Sequence, residues 1–283
     1  MLRKSGLPLS FDESDGTYTF SGLAYLPPVD FTPEEALALV VLCHELGDRE
    51  GLPFLEPART AAVKLENSLP RELRQQLRKV AAGVEIQTPP NNPLTGQGGV
   101  YRQLVHALAA RRCVRIDYRS LAERQQITTV LSPYRLLFGR RSWYVIGRSS
   151  IHRGIRTFNL GRIVRIELLE DTFVLPRGFS VDRYLRNAWH LIPERGPDRE
   201  VLVRFSPMVA ENVAEVLWHK TQRVKFNEDG SLDYRVTVSG LNEISWWILG
   251  YADQAEVLEP PELRQMVARR VAGAAARYGT GEE

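Results

Sequence analysis

The first residues of the chain alternate between apolar and polar side chains. Two such runs, at 7–11 and 17–20, flank the turn sequence Asp15-Gly16. Alternation with a period of two is typical of a strand that has one buried face, and Asp-Gly is a preferred turn between paired strands. The pattern therefore predicts a β-hairpin at the start of the chain.

Apolar residues then recur at helical spacing. Thr32, Pro33 and Glu35 have the order of a capped helix start, in which threonine and glutamate each satisfy a free backbone N–H group of the other. An apolar stripe continues from there to Gly47. Downstream we expect two further helices, then a linker rich in proline and glycine, at 55–68, 70–82 and 87–99.

The middle of the chain changes back to a period of two. Val114, Ile116 and Tyr118 alternate with charged residues, as in a strand with one buried face. More strands are predicted at 126–138, 142–148, 154–160 and 163–174, with short helices at 101–110 and 181–188. Five short strands separated by tight turns predict a small antiparallel β-barrel.

The last third predicts the order β-α-β-β-α-β followed by a helix, which is the ferredoxin-like plan. The predicted elements are a strand at 199–205, a helix at 208–221, a hairpin through 227–231, a helix at 241–250, a strand at 254–258 and a helix at 261–278. Alternation in the strands places the apolar residues against the helices. It leaves four polar residues on the open face of the sheet, Arg204, Asp233, Arg235 and Thr237.

Composition places the chain among ordinary globular proteins. It has 283 residues, of which 43% are hydrophobic and 25% are charged, and no apolar run is long enough for a membrane span. Two cysteines are too few for a disulfide framework or a zinc cluster. We therefore expect an α+β protein of several domains that is cytoplasmic and does not contact a membrane.

Charge is distributed unevenly along the chain. Residues 99–186 carry 17 basic and 6 acidic side chains, a net charge of +11, and all 17 basic residues are arginines. The segments before and after each carry a net charge of −4. Arginine binds phosphate groups with a planar fork of donors and stacks on aromatic rings. The middle segment is therefore predicted to bind an anion.

No pattern of catalytic or metal-binding residues is evident. The chain lacks a Gly-x-Ser-x-Gly elbow, a phosphate-binding glycine loop and metal-ligand spacing. The histidines are scattered along the sequence, at His44, His106, His152, His190 and His219. We therefore expect no catalytic residues, no metal ion and no cofactor, and a protein that is not an enzyme.

Several motifs resemble those of bacterial WYL-domain transcriptional regulators. The signature is Trp143-Tyr144-Val145, with valine in place of the family's leucine. The matching segments around it and in the last third are Ser132-Pro133-Tyr134-Arg135, Arg156-Thr157-Phe158-Asn159-Leu160-Gly161-Arg162-Ile163, Asp229-Gly230-Ser231 and Glu256-Val257-Leu258-Glu259-Pro260-Pro261. The segment 156–163 departs from the family at Asn159, where a basic residue is common, and at Gly161, where an acidic residue is common.

The resemblance implies a winged helix-turn-helix, a helical connector, a WYL domain with an Sm/SH3-like barrel, and a C-terminal extension. On this chain the parts correspond to a wing hairpin and connector at 1–86, a linker at 87–99, a WYL domain at 100–190 and an extension at 197–280. Only Met1 to Ser5 precede the wing hairpin, so the helix-turn-helix is largely missing. Either the true start lies upstream, or the DNA-reading helix has been lost.

Strand alternation places Trp143 and Val145 on one face and Tyr144 and Arg148 on the other. Trp143 is expected to be core, and Tyr144 beside Arg148 is the better candidate for stacking on a base or contacting a phosphate. By resemblance, the ligand contacts are assigned to Tyr118, Arg135, Tyr144, Arg148, Arg156 and Arg162. The expected ligand is single-stranded DNA, RNA or a nucleotide-like effector.

Two functions agree with this sequence. The first is a homodimeric, effector-responsive transcriptional regulator, which would also bind duplex DNA if the helix-turn-helix is present upstream. The second is a WYL ligand-sensing or partner protein without sequence-specific DNA binding of its own.

Overall fold

The computed structural model describes residues 9–12, 17–20, 31–47, 55–84, 90, 92, 94, 96–121 and 123–279. The chain forms two compact units, residues 1–88 and 89–283. The two units are described separately below.

The first unit begins with two antiparallel strands, β1 (Leu9–Asp12) and β2 (Thr17–Phe20), paired from Leu9 opposite Phe20 to Asp12 opposite Thr17. The strands of the predicted hairpin are thereby confirmed. Its turn, Asp15-Gly16, lies outside the described residues, as do Met1 to Ser5.

Three helices follow, α1 (Pro33–Gly47), α2 (Leu55–Ser68) and α3 (Arg71–Ala81). The capped start of α1 is confirmed, because the Thr32 hydroxyl accepts the Glu35 N–H at 3.2 Å and the Glu35 carboxylate accepts the Thr32 N–H at 2.9 Å. Ala36 and Val40 are buried and pack with partly buried leucines of the same unit.

The second unit begins with α4 (Gly98–Ala110), which starts three residues earlier than predicted. Five antiparallel strands follow in the spatial order β6-β5-β4-β3-β7. They are β3 (Arg112–Ser120), β4 (Gln125–Gly139), β5 (Ser142–Ser149), β6 (Gly154–Asn159) and β7 (Ile163–Thr172), and a short helix α5 (Val181–Leu185) comes after them.

The five-stranded sheet is strongly curled. The rings of Tyr118 on β3 and Phe158 on β6 meet edge to face with centroids 5.0 Å apart, although β4 and β5 separate their strands. In a flat sheet these strands would lie about 14 Å apart, at about 4.8 Å per strand spacing. No strand pairing among the described residues joins β6 to β7, so the predicted closed barrel is not confirmed.

A β-bulge bends β4 between Pro133 and Arg135, where the pairing with β5 shifts by one residue. Gly147 on β5 lies opposite Pro133. A side chain at position 147 would overlap the Ser132 carbonyl oxygen, so the close approach of the two strands at the bulge requires glycine.

The remaining residues form the predicted order of elements, with a four-stranded antiparallel sheet ordered β11-β8-β10-β9. The elements are β8 (Arg199–Phe205), α6 (Pro207–Ala214), β9 (Arg223–Phe226), β10 (Leu232–Val238), α7 (Asn242–Leu249), β11 (Ala255–Glu259) and α8 (Pro261–Tyr278). Helix α6 ends seven residues earlier than predicted. The indole N–H of Trp218, beyond that end, donates to the Val213 carbonyl at 3.1 Å.

The two faces of this sheet are divided as predicted. Val201, Val203 and Phe205 are fully buried in the core. On the opposite face, Arg204 pairs with Asp233 and Arg235 pairs with Glu200.

The segment that joins the two sheets is fastened to the second one. The Glu243 carboxylate accepts backbone N–H groups of His190, Leu191 and Ile192 at 2.9–3.3 Å. The buried Trp189 ring stacks on His219 at 5.5 Å. These contacts give the connection a defined position on the C-terminal sheet.

Candidate nucleic-acid interface

The strand register confirms how the signature residues are divided between faces. Val145 lies opposite Phe158 on the face that also carries Trp143, and Tyr144 lies opposite Asn159 on the other face. Val145 is fully buried, and Arg148 is exposed on the Tyr144 face.

Trp143 is part of the core. It is 6% exposed, and its ring contacts Tyr101 of α4 at 5.2 Å and Phe138 of β4 at 5.4 Å. The tryptophan of the signature therefore fixes helix α4 against the sheet.

Tyr118 is also interior, 7% exposed, with its hydroxyl accepting the Asn159 N–H at 3.3 Å. Its ring contacts Phe158 because the curl of the sheet brings β3 and β6 together. The structure therefore does not bring Tyr118 together with the exposed arginines of the predicted site.

Arg135, Tyr144 and Arg148 share one face of the sheet. Arg135 lies opposite Ile146 and Arg148 lies opposite Ser132, so the two arginines are diagonal neighbours on adjacent strands. Both are exposed, and Tyr144 is half-buried. This trio brings together two guanidinium groups and an aromatic ring. The sequence places Tyr144 and Arg148 on one strand face, whereas Arg135 is assigned by resemblance alone.

Arg148 also lies close to the bulge in β4. Burial raises the pKa of the Tyr134 phenol, and the nearby Arg148 guanidinium acts in the opposite direction. Tyr134 is 4% exposed, between the rings of Phe173 and Phe179.

Arg156 and Arg162 lie apart from that trio. Arg156 is opposite Gly147, on the face that carries Trp143, and its guanidinium donates to the neighbouring Ile155 carbonyl at 2.9 Å. Arg162 ends a single 3₁₀ turn, Leu160–Arg162. Both are half-buried. The six predicted contacts therefore fall into one interior tyrosine, one exposed trio and two separate arginines.

Few of the 17 arginines at 99–186 have an acidic partner. Three of the 17 pair with a carboxylate among the described residues, namely Arg112 with Glu170 at 2.6 Å, Arg115 with Glu167 at 2.8 Å and Arg186 with Asp198 at 2.5 Å. The other fourteen have no carboxylate within 4 Å in the described part of the chain. The predicted excess of positive charge is therefore not neutralised within the domain.

Sequence reasoning missed the backbone conformation of several of these arginines. Six arginines adopt a positive φ, at Arg111, Arg124, Arg140, Arg141, Arg153 and Arg186. Glycine or asparagine is the usual residue in this conformation, because a Cβ atom is disfavoured there. The turn sequences carry no glycine at these positions, so nothing in the pattern pointed to them.

The segment predicted as a linker lies partly against the sheet. Leu94 is 5% exposed, and the Asn92 N–H donates to the Arg141 carbonyl at 2.5 Å. A Cβ atom at Gly161 would come within 2.5 Å of the Asn92 side-chain nitrogen. Gly161 departs from the family pattern in the sequence, and this contact requires a residue without a side chain there.

A chain of side chains, Ser149, His152 and Glu123, has the residue types of a hydrolase triad. Ser149 Oγ lies 2.8 Å from His152 Nδ1, and His152 Nε2 lies 3.1 Å from Glu123 Oε1. Ser149 is fully buried and also contacts the Thr129 hydroxyl at 2.9 Å, so its oxygen is closed to a substrate. These hydrogen bonds link the turn that follows β3 to the turn that follows β5.

Two kinds of site are absent from the described residues. They contain no cluster of three or more His, Cys, Asp and Glu side chains that could hold a metal ion. None of the helices they form has both the length and the apolar character that a membrane crossing requires.

Comparison with known domains assigns both sheets of the second unit. Residues 99–168 match the WYL domain and residues 197–275 match the WCX domain. The chain thus contains a WYL domain followed by a WCX domain, as the signature and the C-terminal motifs indicated.

Among known proteins, the chain is similar to Protein PafB of Mycobacterium leprae (strain TN). The two are 26% identical over 304 residues, which cover 99% of this chain and 83% of PafB.

Two solved structures are also similar. Proteasome accessory factor B/C (PafBC) of Arthrobacter aurescens matches 90% of this chain with 22% identity and a TM-score of 0.31, and the chain spans 37% of its length. A CRISPR Cas-related protein matches 80% of this chain with 10% identity and a TM-score of 0.48, and 62% of its own length is covered.

Proposed function

We propose that this chain is an effector-responsive transcriptional regulator whose WYL domain binds single-stranded nucleic acid or a nucleotide-like anion. The observation that carries the proposal is the set of fourteen arginines without a carboxylate partner among the described residues. Like charges held on one small domain repel one another, and a bound polyanion relieves that repulsion. The similarity to PafB and the order of WYL and WCX domains support a regulatory role.

The exposed trio supplies the groups that such a ligand needs. Arg135 and Arg148 can each donate charge-assisted hydrogen bonds to phosphate oxygens, worth about 1.5–3 kcal/mol each. Tyr144 offers a ring on which a base can stack, worth about 1–3 kcal/mol. Neither contact reads the base sequence, so binding through this face is expected to be sequence-tolerant.

We also propose a known fold for each of the two sheets of the second unit. The strand order β11-β8-β10-β9, with all neighbours antiparallel, supports the ferredoxin-like plan for the WCX domain. The curl that brings Tyr118 onto Phe158 supports an Sm/SH3-like, partly open barrel for the WYL domain.

We also propose that the protein is a homodimer and has a binding role without catalysis. The buried position of Ser149 supports the second statement, because the hydrolase-like arrangement of Ser149, His152 and Glu123 cannot reach a substrate. Arg204 and Arg235 on the open face of the WCX sheet already have carboxylate partners, so these two arginines are not expected to carry the dimer contact.

The ligand is tested by fluorescence anisotropy with a labelled single-stranded oligonucleotide. We expect Arg135→Ala and Arg148→Ala each to weaken binding at least tenfold, and Tyr144→Ala to weaken it several-fold. The matched control is Arg223→Ala on the exposed strand β9, which removes the same charge outside the WYL domain and should change the affinity less than twofold. Equal effects of all four substitutions would contradict a defined arginine site.

The regulatory role is tested with duplex DNA from the region upstream of the gene, by electrophoretic mobility shift with and without the oligonucleotide. A duplex affinity that changes when the oligonucleotide is added supports a regulator. Oligonucleotide binding without any duplex binding contradicts that role and leaves the ligand-sensing partner protein.

A further inference from the structure

A cleft of about 350 Å³ lies beside the first residues of β3, where β4 continues beyond its pairing with that strand. The pairing of β3 with β4 stops at Val114 opposite Leu131, whereas β4 runs on to Gly139 paired with β5. The bulge at Pro133 to Arg135 falls in this stretch. The last turn of α4 and the residues after β7 complete the walls, and the lining residues are Leu108, Ala109, Arg111, Pro133, Tyr134, Arg135, Leu136, Phe173 and Leu175.

The charged residues of this lining are two arginines, Arg111 and Arg135. Neither has a carboxylate partner within the described residues, and the Arg135 guanidinium donates to the Tyr134 carbonyl at 3.3 Å. Two cations that line one cleft without a counter-charge repel each other, and an anion bound between them removes this repulsion.

Arg111 is held in place by its backbone. It caps the C-terminus of α4 with φ 55°, its N–H donates to the carbonyls of the last helical turn, and its carbonyl accepts the Phe173 N–H at 2.9 Å. Glycine is the usual residue at such a cap. Here the cap residue is an arginine on the wall of the cleft.

The other walls suit a flat apolar group. Leu136, Phe173 and Leu175 are half-buried, and the Phe173 ring is held by Tyr134 at 5.7 Å. Clefts of 300–1,000 Å³ that combine apolar walls with a few polar groups are typical of small-ligand sites. The carbonyl end of α4 disfavours an anion, but a helix terminus contributes less than a pair of guanidinium contacts.

We propose that this cleft binds one nucleoside monophosphate unit, with its phosphate between Arg111 and Arg135 and its base against Phe173. The proposal deepens the proposed function, because it names the unit of the ligand that the WYL domain selects. It also adds Arg111, which no motif and no sequence pattern assigned. The unit can come from a free nucleotide or from the phosphorylated end of an oligonucleotide.

The test is calorimetric titration of the full chain with thymidine 5′-monophosphate, with thymidine as the phosphate-free probe. Arg111→Gly removes the side chain and favours the positive φ, so this variant should fold at least as well as the unaltered protein. We expect Arg111→Gly and Arg135→Ala to weaken nucleotide binding at least tenfold, and thymidine not to bind.

The matched control is Arg153→Gly, because Arg153 is exposed, has φ 50° and lies outside the cleft. It should change the nucleotide affinity less than twofold. Equal losses at positions 111 and 153, or equal affinities for thymidine and its monophosphate, would overturn the proposal.

Two oligonucleotides of one sequence, with a 5′-phosphate or a 5′-hydroxyl end, distinguish the sources. A preference for the phosphorylated end that Arg111→Gly abolishes assigns the cleft to a strand end, and nucleotide binding without this preference assigns it to a free nucleotide. If oligonucleotides bind but the monophosphate does not, the cleft proposal fails and the proposed function stands. If neither binds, the proposed function fails as well.

Discussion

The Arg204 guanidinium donates two hydrogen bonds, at 2.7 and 3.1 Å, to the Asp233 carboxylate on the neighbouring strand of the WCX sheet. This contact lowers the pKa of the Asp233 carboxyl group. On the open face of the WCX sheet, Arg204 and Arg235 thus both have carboxylate partners within the sheet. Among the described residues, most arginines of the WYL segment have no carboxylate partner, and this difference between two sheets of one chain is the basis on which we propose the WYL domain as the anion-binding part.

Substitutions at Trp143 and at Tyr144 should have different effects, the first on stability and the second on oligonucleotide binding. Trp143→Ala empties a core position between α4 and the sheet and should lower the free energy of unfolding by about 3–5 kcal/mol. Tyr144→Ala on the other face should cost less than about 1.5 kcal/mol and weaken oligonucleotide binding several-fold. Urea unfolding and anisotropy measure the two quantities. A Trp143→Ala protein of unchanged stability would contradict the core assignment.

Gly161 should control how the segment around Leu94 lies on the WYL domain. Gly161→Ala places a methyl group within 2.5 Å of the Asn92 side chain and 3.2 Å of the Asn159 carboxamide oxygen. We expect cleavage near residues 92–94 to become several-fold faster in limited proteolysis. Gly154→Ala is the control, since its nearest neighbour atom is 3.6 Å away. Similar cleavage rates in both variants would show that Gly161 does not hold the segment.

The junction between the two sheets should lose stability in acid. Burial, with smaller contributions from Arg140 and His219, lowers the pKa of His190 from 6.5 to about 3. The unfolded chain therefore binds a proton that the folded chain excludes, and stability should fall as the pH drops below about 6.5 and continue to fall towards pH 3.

Since His190 is partly exposed, solvent screening should limit the loss that it causes in the free energy of unfolding to about 1 kcal/mol between pH 7 and pH 5. Urea unfolding at the two pH values measures the difference. His190→Gln should reduce it, and an identical pH dependence in this variant would assign the effect to other groups.

Local sequence patterns predicted the elements of this fold well, because their causes are local. The capping residues Thr32 and Glu35 lie three positions apart, and the alternation of Val201, Val203 and Phe205 follows directly from strand geometry. The same alternation placed Tyr118 with the buried residues Val114 and Ile116, so its interior position agrees with the pattern more than with the role implied by resemblance.

The cleft and the docked segment could not be predicted in this way. The cleft depends on the bulge at Pro133, on where β3 begins, and on Phe173, which lies more than 60 residues beyond α4 in the chain. The contact between Asn92 and Arg141 likewise joins residues that only the folded sheet brings together. Residue spacing along one chain carries no direct signal of such relationships.

The salt dependence of oligonucleotide binding tests the central claim most directly. Each arginine that neutralises a phosphate contributes about −0.7 to the slope of log affinity against log salt concentration for a single strand. Contacts from Arg135 and Arg148 therefore predict a slope of about −1.4, which becomes shallower by about 0.7 in Arg148→Ala and stays unchanged in Arg223→Ala. A slope near zero, or one that Arg148→Ala leaves as steep as before, would contradict binding through the unpaired arginines of the WYL domain.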